Sequence, residues 1–156
     1  MSFMKDAKVS KFDRDPALAN PLAAAIAAAD RETLKTVAGA LRDLRMRLAW
    51  QPVVYASDPS VIGFFEGFIR LLNLRDQVIP ARDFIGAVEQ TELGREIDCA
   101  ALQMGLMCLQ RNPQIRVSIN MSARSVGYQR WGSILRKALR DSPKLGYNLI
   151  LEISAA

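Results

Sequence analysis

In the stretch VIGFFEGFIRLL, residues 61–72, a carboxylate and a guanidinium stand four residues apart. An even spacing in a period-two element points both Glu66 and Arg70 to the same face. An acid flanked by GFF and GFI is hard to explain as surface, and Gly63 and Gly67 beside it mark either the close approach of a ligand or a bulge or tight helix contact. Two more stretches follow the same alternation. In IRVSIN, residues 115–120, Ile115, Val117 and Ile119 form one face and Arg116, Ser118 and Asn120 the other. In NLILEIS, residues 148–154, Leu149, Leu151 and Ile153 oppose Asn148, Ile150, Glu152 and Ser154. If these strands are neighbours, Glu66, Asn120 and Glu152 converge on one point. Hard oxygen donors with at least one carboxylate and room for water suit Mg²⁺ or Mn²⁺. From spacing alone the plainer explanation is an open sheet with a solvated polar face, and what pulls against it is the apolar setting of Glu66.

Composition narrows the chemistry further. The chain of 156 residues has no histidine, which removes imidazole acid–base catalysis, most zinc sites and the usual nucleophilic triads. Cys99 and Cys108 lie nine residues apart in an expected helix, on opposite faces at about 100° per residue. They can therefore form neither a mutual disulfide nor a local metal pair. Half of the residues are apolar, enough for a packed core of one domain. No apolar run approaches the roughly 20 residues of a membrane span, and the charged start argues against a signal peptide, so the cytoplasm is the expected compartment. The net charge of +5 invites an anionic partner. Yet Arg42, Arg45, Arg47, Arg124, Arg130, Arg136 and Arg140 are mixed with Asp43 and Asp141, without interleaved aromatics, so no nucleic acid polymer is expected as partner.

The elements that must position these residues begin after a polar segment, 1–15, expected to be poorly ordered. Helix starts fall at Asn20-Pro21 and at 30–32. Leu34, Val37, Leu41, Leu44 and Leu48 then recur at heptad spacing, as a helix lying on its own domain or a signalling or dimerising helix would show. LAWQPVVYA, residues 48–56, reads as a strand, with Pro52 favouring an edge, and SDPS, 57–60, as the turn of a hairpin to a strand over 61–69. Helices follow over about 81–90 and 95–111. A further helix carries Trp131, Ile134, Leu135, Ala138 and Leu139 on one face. Beyond the hairpin the order is β-α-β-α-β, the pattern of a parallel sheet covered by helices.

In order and spacing, WQPVV, GFFEGFIR, IPARDFI, VSINMSA and LEIS resemble the EAL-domain family of bacterial cyclic di-GMP phosphodiesterases. The resemblance runs over about 48–154 and implies an α/β fold: a (β/α)8 TIM-type barrel with an antiparallel first strand, here in its first half and preceded by a helical segment. Residues 1–47 are then a polar tail and helical linker, and 48–156 the front half of the barrel. The resemblance further implies that Glu66, Asn120 and Glu152 ligate Mg²⁺ or Mn²⁺, with Glu66 and Glu152 catalytic. Arg70 would bind a phosphate of cyclic di-GMP and Gln51 would line the cleft, though a structural role for Gln51 is as good a reading. The implied reaction is metal-dependent hydrolysis to linear pGpG.

The chain departs from the family pattern in three ways. The motif reads Glu-Gly-Phe instead of Glu-Ala-Leu, Ala155 stands where a second glutamate is usual, and a closed barrel needs roughly 200 residues or more. The expectation is therefore an enzyme only in an intact domain, with the 156-residue chain inactive by itself. The alternative is a catalytically dead module that binds cyclic di-GMP or a protein partner. An unfinished barrel should also expose a strand edge and self-associate as a homo-oligomer.

Overall fold

The computed structural model describes residues 20–154. Helix α1 (Pro21–Arg42) opens with Asn20, whose side chain accepts from the Ala23 amide at 3.1 Å, and with proline in its first turn. The two expected helix starts merge into one helix, because the alanine-rich run between them contains nothing that breaks it. The expected segment at 1–15 lies outside the described residues. Leu34, Val37 and Leu41 of the heptad stripe lie against the chain's own core, beside Met46, Leu71, Phe84, Val88 and Ile97. The stripe ends there: Leu44 is past the helix, 77 % exposed at φ 54°, and Leu48 belongs to a strand.

Strands β1 (Met46–Tyr55) and β2 (Asp58–Leu72) form the antiparallel hairpin. Its turn is tighter than SDPS suggested, since Asp58 already belongs to β2, where its carboxylate accepts from the Ser60 amide and hydroxyl at 3.0 and 2.6 Å. A short strand not anticipated from the sequence, β3 (Val78–Pro80), pairs with residues 70–72 of β2. The helix expected over 81–90 is a 3₁₀ turn (Ala81–Asp83) and a single helical turn, α2 (Ile85–Val88). Between them Phe84 takes φ −137° and sinks its ring into the core at 2 % exposure, which interrupts the helix.

Helix α3 (Glu92–Arg111) leads to β4 (Val117–Ser122), and α4 (Gln129–Asp141) to β5 (Leu149–Ser154). β4 starts two residues later than the sequence suggested, because the ladder begins where the Phe65 amide donates to the Arg116 carbonyl and the Val117 amide to the Asn148 carbonyl. The sheet order is β1-β2-β4-β5 with β3 also on β2; β2, β4 and β5 run parallel and β1 opposes them. This is a partial TIM-type barrel whose first strand is antiparallel, and Pro52 does sit on an edge strand. Among the described residues no helix is long and apolar enough to cross a membrane.

One side of the sheet is covered by α3 and α4. Leu102, Leu106 and Leu109 of α3, Trp131 of α4, and Val117 and Met121 of β4 share one cluster, against which Ile134, Leu135, Ala138 and Leu139 lie as their spacing implied. Leu149 and Leu151 join it, whereas Ile153 stays 57 % exposed. Both cysteines are free. Cys99 is buried in this cluster, and burial is the main force pushing its thiol up to about 11.

Helix α3 comes closest to the sheet at Gly105, where a Cβ would meet Ile119 Cδ1 at 2.6 Å and Cγ1 at 2.7 Å. Gly67 yields room to the same isoleucine and to Trp50, at 3.2 and 2.9 Å. Gly67 therefore makes room for side chains of the two neighbouring strands, not for a helix, on the sheet face opposite Glu66. Asp98 of α3, 8 % exposed, holds the turn that follows β4: it accepts from the Ser122 amide at 2.9 Å and the Ser125 hydroxyl at 2.6 Å. Burial raises its carboxyl above the ordinary range, against the pull of these two bonds.

Two stability predictions follow from these contacts. Gly105→Ala regains about 1 kcal/mol of helix propensity but adds about 1–3 kcal/mol of overpacking against Ile119; the urea midpoint should fall, and an unchanged midpoint would show that Ile119 moves aside freely. Asp98→Ala strands a buried hydroxyl and an amide, at about 1–3 kcal/mol, whereas Asp98→Asn keeps an acceptor and should lose less in the same urea titration.

Candidate functional site

The parallel register decides what the uncovered face presents. Glu66 stands level with Gln51 on β1 and Ser118 on β4, and Asn120 stands level with Glu152 on β5. Residues paired in register share a face, so Gln51, Glu66, Ser118, Asn120 and Glu152 all lie on the side that α3 and α4 leave open. Of the three residues expected to converge, two are in contact, since Asn120 Nδ2 donates to Glu66 Oε1 at 2.9 Å across the β2–β4 pair, and Glu152 stands beside Asn120 as its register partner on β5. Glu66 and Glu152 are half-buried and Asn120 is exposed.

Ser118 is the residue that the sequence reading passed over. It is fully buried, and its hydroxyl donates to Glu152 Oε1, fixing that carboxylate from the neighbouring strand. Its even spacing from Asn120 had placed it on the right face, but nothing in the sequence distinguished a buried, bonded serine from a solvated one. With these bonds made, Glu66 Oε2, Glu152 Oε2 and Asn120 Oδ1 retain acceptor capacity. Among the described residues no group of three His, Cys, Asp or Glu gathers, so the set consists of two carboxylates and an amide. Its chemistry is hard oxygen, compatible with Mg²⁺ or Mn²⁺ completed by water and ill-suited to zinc.

Arg70 shares the face of Glu66, four residues closer to the carboxyl end of β2. Its guanidinium lies 5.7 Å from the Phe68 ring centroid, and its Nη1 donates to the Ile69 carbonyl at 2.9 Å. Gln51 is exposed. A cavity of about 350 Å³ opens at the carboxyl ends of β2 and β4, partly under α3 at Ile97, Asp98 and Ala101, and of the candidate site residues Asn120 alone lines it. Phe68, Asn120 and Ser122 line it from the sheet and Ile85 and Glu89 from the helical side. The carboxyl ends of the strands are where barrel folds place their sites.

The EAL domain family matches residues 34–156. Among solved structures, the FimX EAL domain from Pseudomonas aeruginosa, bound to c-di-GMP, shares 24% identity over 78% of this chain and 49% of its own, at a TM-score of 0.66. The FimX EAL domain of Xanthomonas citri, in complex with c-diGMP, shares 17% over 83% and 51%, at 0.69. An EAL domain protein from Listeria monocytogenes shares 23% over 77% and 48%, at 0.63. No curated protein matches the chain. The chain thus spans about half the length of the solved structures it resembles. With the family matched over most of its length and the antiparallel first strand of the barrel in place, this chain belongs to the EAL domain family.

Proposed function

We propose that this chain forms the metal- and phosphate-facing part of a cyclic di-GMP site, and that in an intact domain the reaction is hydrolysis of one phosphodiester to give linear pGpG. The observation that carries this reading is the cluster of Glu66, Asn120 and Glu152 on three adjacent strands, with an oxygen of each still available. These oxygens would hold Mg²⁺ or Mn²⁺; when bound, the ion supplies Lewis-acid polarisation of a phosphoryl oxygen and activation of water.

The chain's own residues set the geometry. Ser118 and Asn120 each donate to one oxygen of a glutamate, which leaves the other with its acceptor capacity and limits the motion of both carboxylates. Arg70 offers a planar fork to a phosphodiester, a match for which guanidinium is better suited than ammonium. Gln51, level with Glu66, would line the same cleft. The free thiols fit a cytoplasmic compartment.

Titration of the 156-residue chain with cyclic di-GMP in the presence of Mn²⁺, followed by calorimetry and by chromatography of the nucleotide, tests the reading. Binding should depend on Mn²⁺, and Glu66→Gln and Glu152→Gln should each weaken Mn²⁺ binding by about tenfold or more. Nucleotide bound but unchanged assigns the chain to recognition, whereas pGpG formed and abolished in Glu66→Gln assigns hydrolysis to it directly. Absence of cyclic di-GMP binding, or zinc held far more tightly than manganese, overturns the reading.

We also propose that the chain self-associates. β5 occupies the end of the described sheet with no strand on its far side, Ile153 is exposed there, and Phe64, Phe68 and Ile150 are only half-buried on the open face. Light scattering coupled to size exclusion should give a dimer or larger at micromolar concentration; a monodisperse monomer contradicts this.

A further inference from the structure

Like charges placed directly opposite one another across a strand pair destabilise a sheet, yet the hairpin sets Arg47 against Arg70 in register. Alternation puts Arg47 on the face of Gln51, and therefore on the same open face as Glu66, Asn120 and Glu152. Pro80 of β3 is the partner of Arg70 on its other side, so no acid is brought alongside from that strand either. Both guanidiniums are held in the same way: Arg47 Nη1 donates to the Met46 carbonyl at 2.8 Å, as Arg70 Nη1 does to that of Ile69 at 2.9 Å. Among the described residues neither forms an ion pair with a carboxylate, although Arg42, Arg45, Arg82, Arg95 and Arg130 all do. Most N–H groups of both forks therefore remain available at the carboxyl end of β2.

We infer that Arg47 and Arg70 together form a two-guanidinium clamp for one phosphodiester, making Arg47 an anion-binding residue of the site. Directly opposed residues have Cβ atoms about 5 Å apart, close enough for both forks to reach oxygens of a single tetrahedral group. A phosphodiester offers two non-bridging oxygens that share its single charge, with the geometry that such forks match. It also removes the repulsion that the empty pair sustains. The two carboxylates lie deeper along the same face, so an anion meets the cationic rim before the oxygen cluster. The identity of the ligand as cyclic di-GMP rests on the function proposed above, whereas the clamp rests on the arginine pair alone.

The test follows the Arg Nε–Hε resonances of the whole chain by NMR, assigned with Arg47→Lys and Arg70→Lys, during separate titrations with cyclic di-GMP and with diethyl phosphate. Both resonances should move together with either probe. Arg47→Ala and Arg70→Ala should each weaken cyclic di-GMP binding by about tenfold, and the double variant should lose less than the product of the two. Arg47→Ala should unfold at the same or higher urea concentration than the parent, which separates lost recognition from lost structure. If diethyl phosphate moves both resonances while cyclic di-GMP does not bind, the clamp stands and the cyclic di-GMP reading falls. If Arg47 responds to neither probe, or Arg47→Ala binds cyclic di-GMP as the parent does, the clamp is overturned.

Discussion

Ile119 is the point through which the rest of the structure is fixed. Its side chain fills the space left by two glycines, Gly67 on the adjacent strand and Gly105 on the helix above. A strand register slipped by one residue would turn Ile119 to the open face and bring Ser118 and Asn120 under α3, where nothing is shaped to receive them. The contact therefore locks the β2–β4 pairing, and that pairing brings Glu66 within hydrogen-bond reach of Asn120. Core packing on one face of the sheet and polar geometry on the other are the same constraint, transmitted through a backbone with a strict period of two.

The open face is graded along the strands. At its middle, Ser118 and Asn120 use their donors to steady Glu152 and Glu66. One step on, Phe68 and Asn120 reach the cavity at the strand ends, and beyond them stand the opposed arginines. Asp98 belongs to this architecture although it lies on the helix side: by accepting from Ser122 and Ser125 it fixes the turn that leaves β4 just past Asn120. Burying a carboxylate there is costly, and its two hydrogen bonds are what offset the cost.

The helix layer was readable because its signals are local. The i, i+3, i+4 face of α4 and the Asn-Pro start of α1 are decided within a few residues of themselves. The failures came where tertiary packing overrode that local pattern. The heptad stripe ran on past Leu41 in the sequence, but the chain turns back at Leu44 so that Met46 can enter the core and β1 can pair with β2. The helix expected over 81–90 gave way because the ring of Phe84 gains more from burial beside Val88 and Ile97 than from continuing the helical backbone.

For the site, the sequence by itself determined which residues share a face, since alternation along a strand is a property of the chain alone: Glu66 with Arg70, Ser118 with Asn120, Ile150 with Glu152. Beyond the hairpin, which strands are neighbours, and in every pair at what register, depends on contacts between residues far apart in the chain, and only the tertiary structure decided it. That choice put Asn120 on Glu66, buried the Ser118 hydroxyl against Glu152 and set Arg47 opposite Arg70. The Asn120–Glu66 and Ser118–Glu152 pairs are written in no local stretch, because each joins two strands whose relative position is set by what fills the space between the sheet and α3, whereas Arg47 meets Arg70 through a hairpin register that shifts between Val53 and Tyr55.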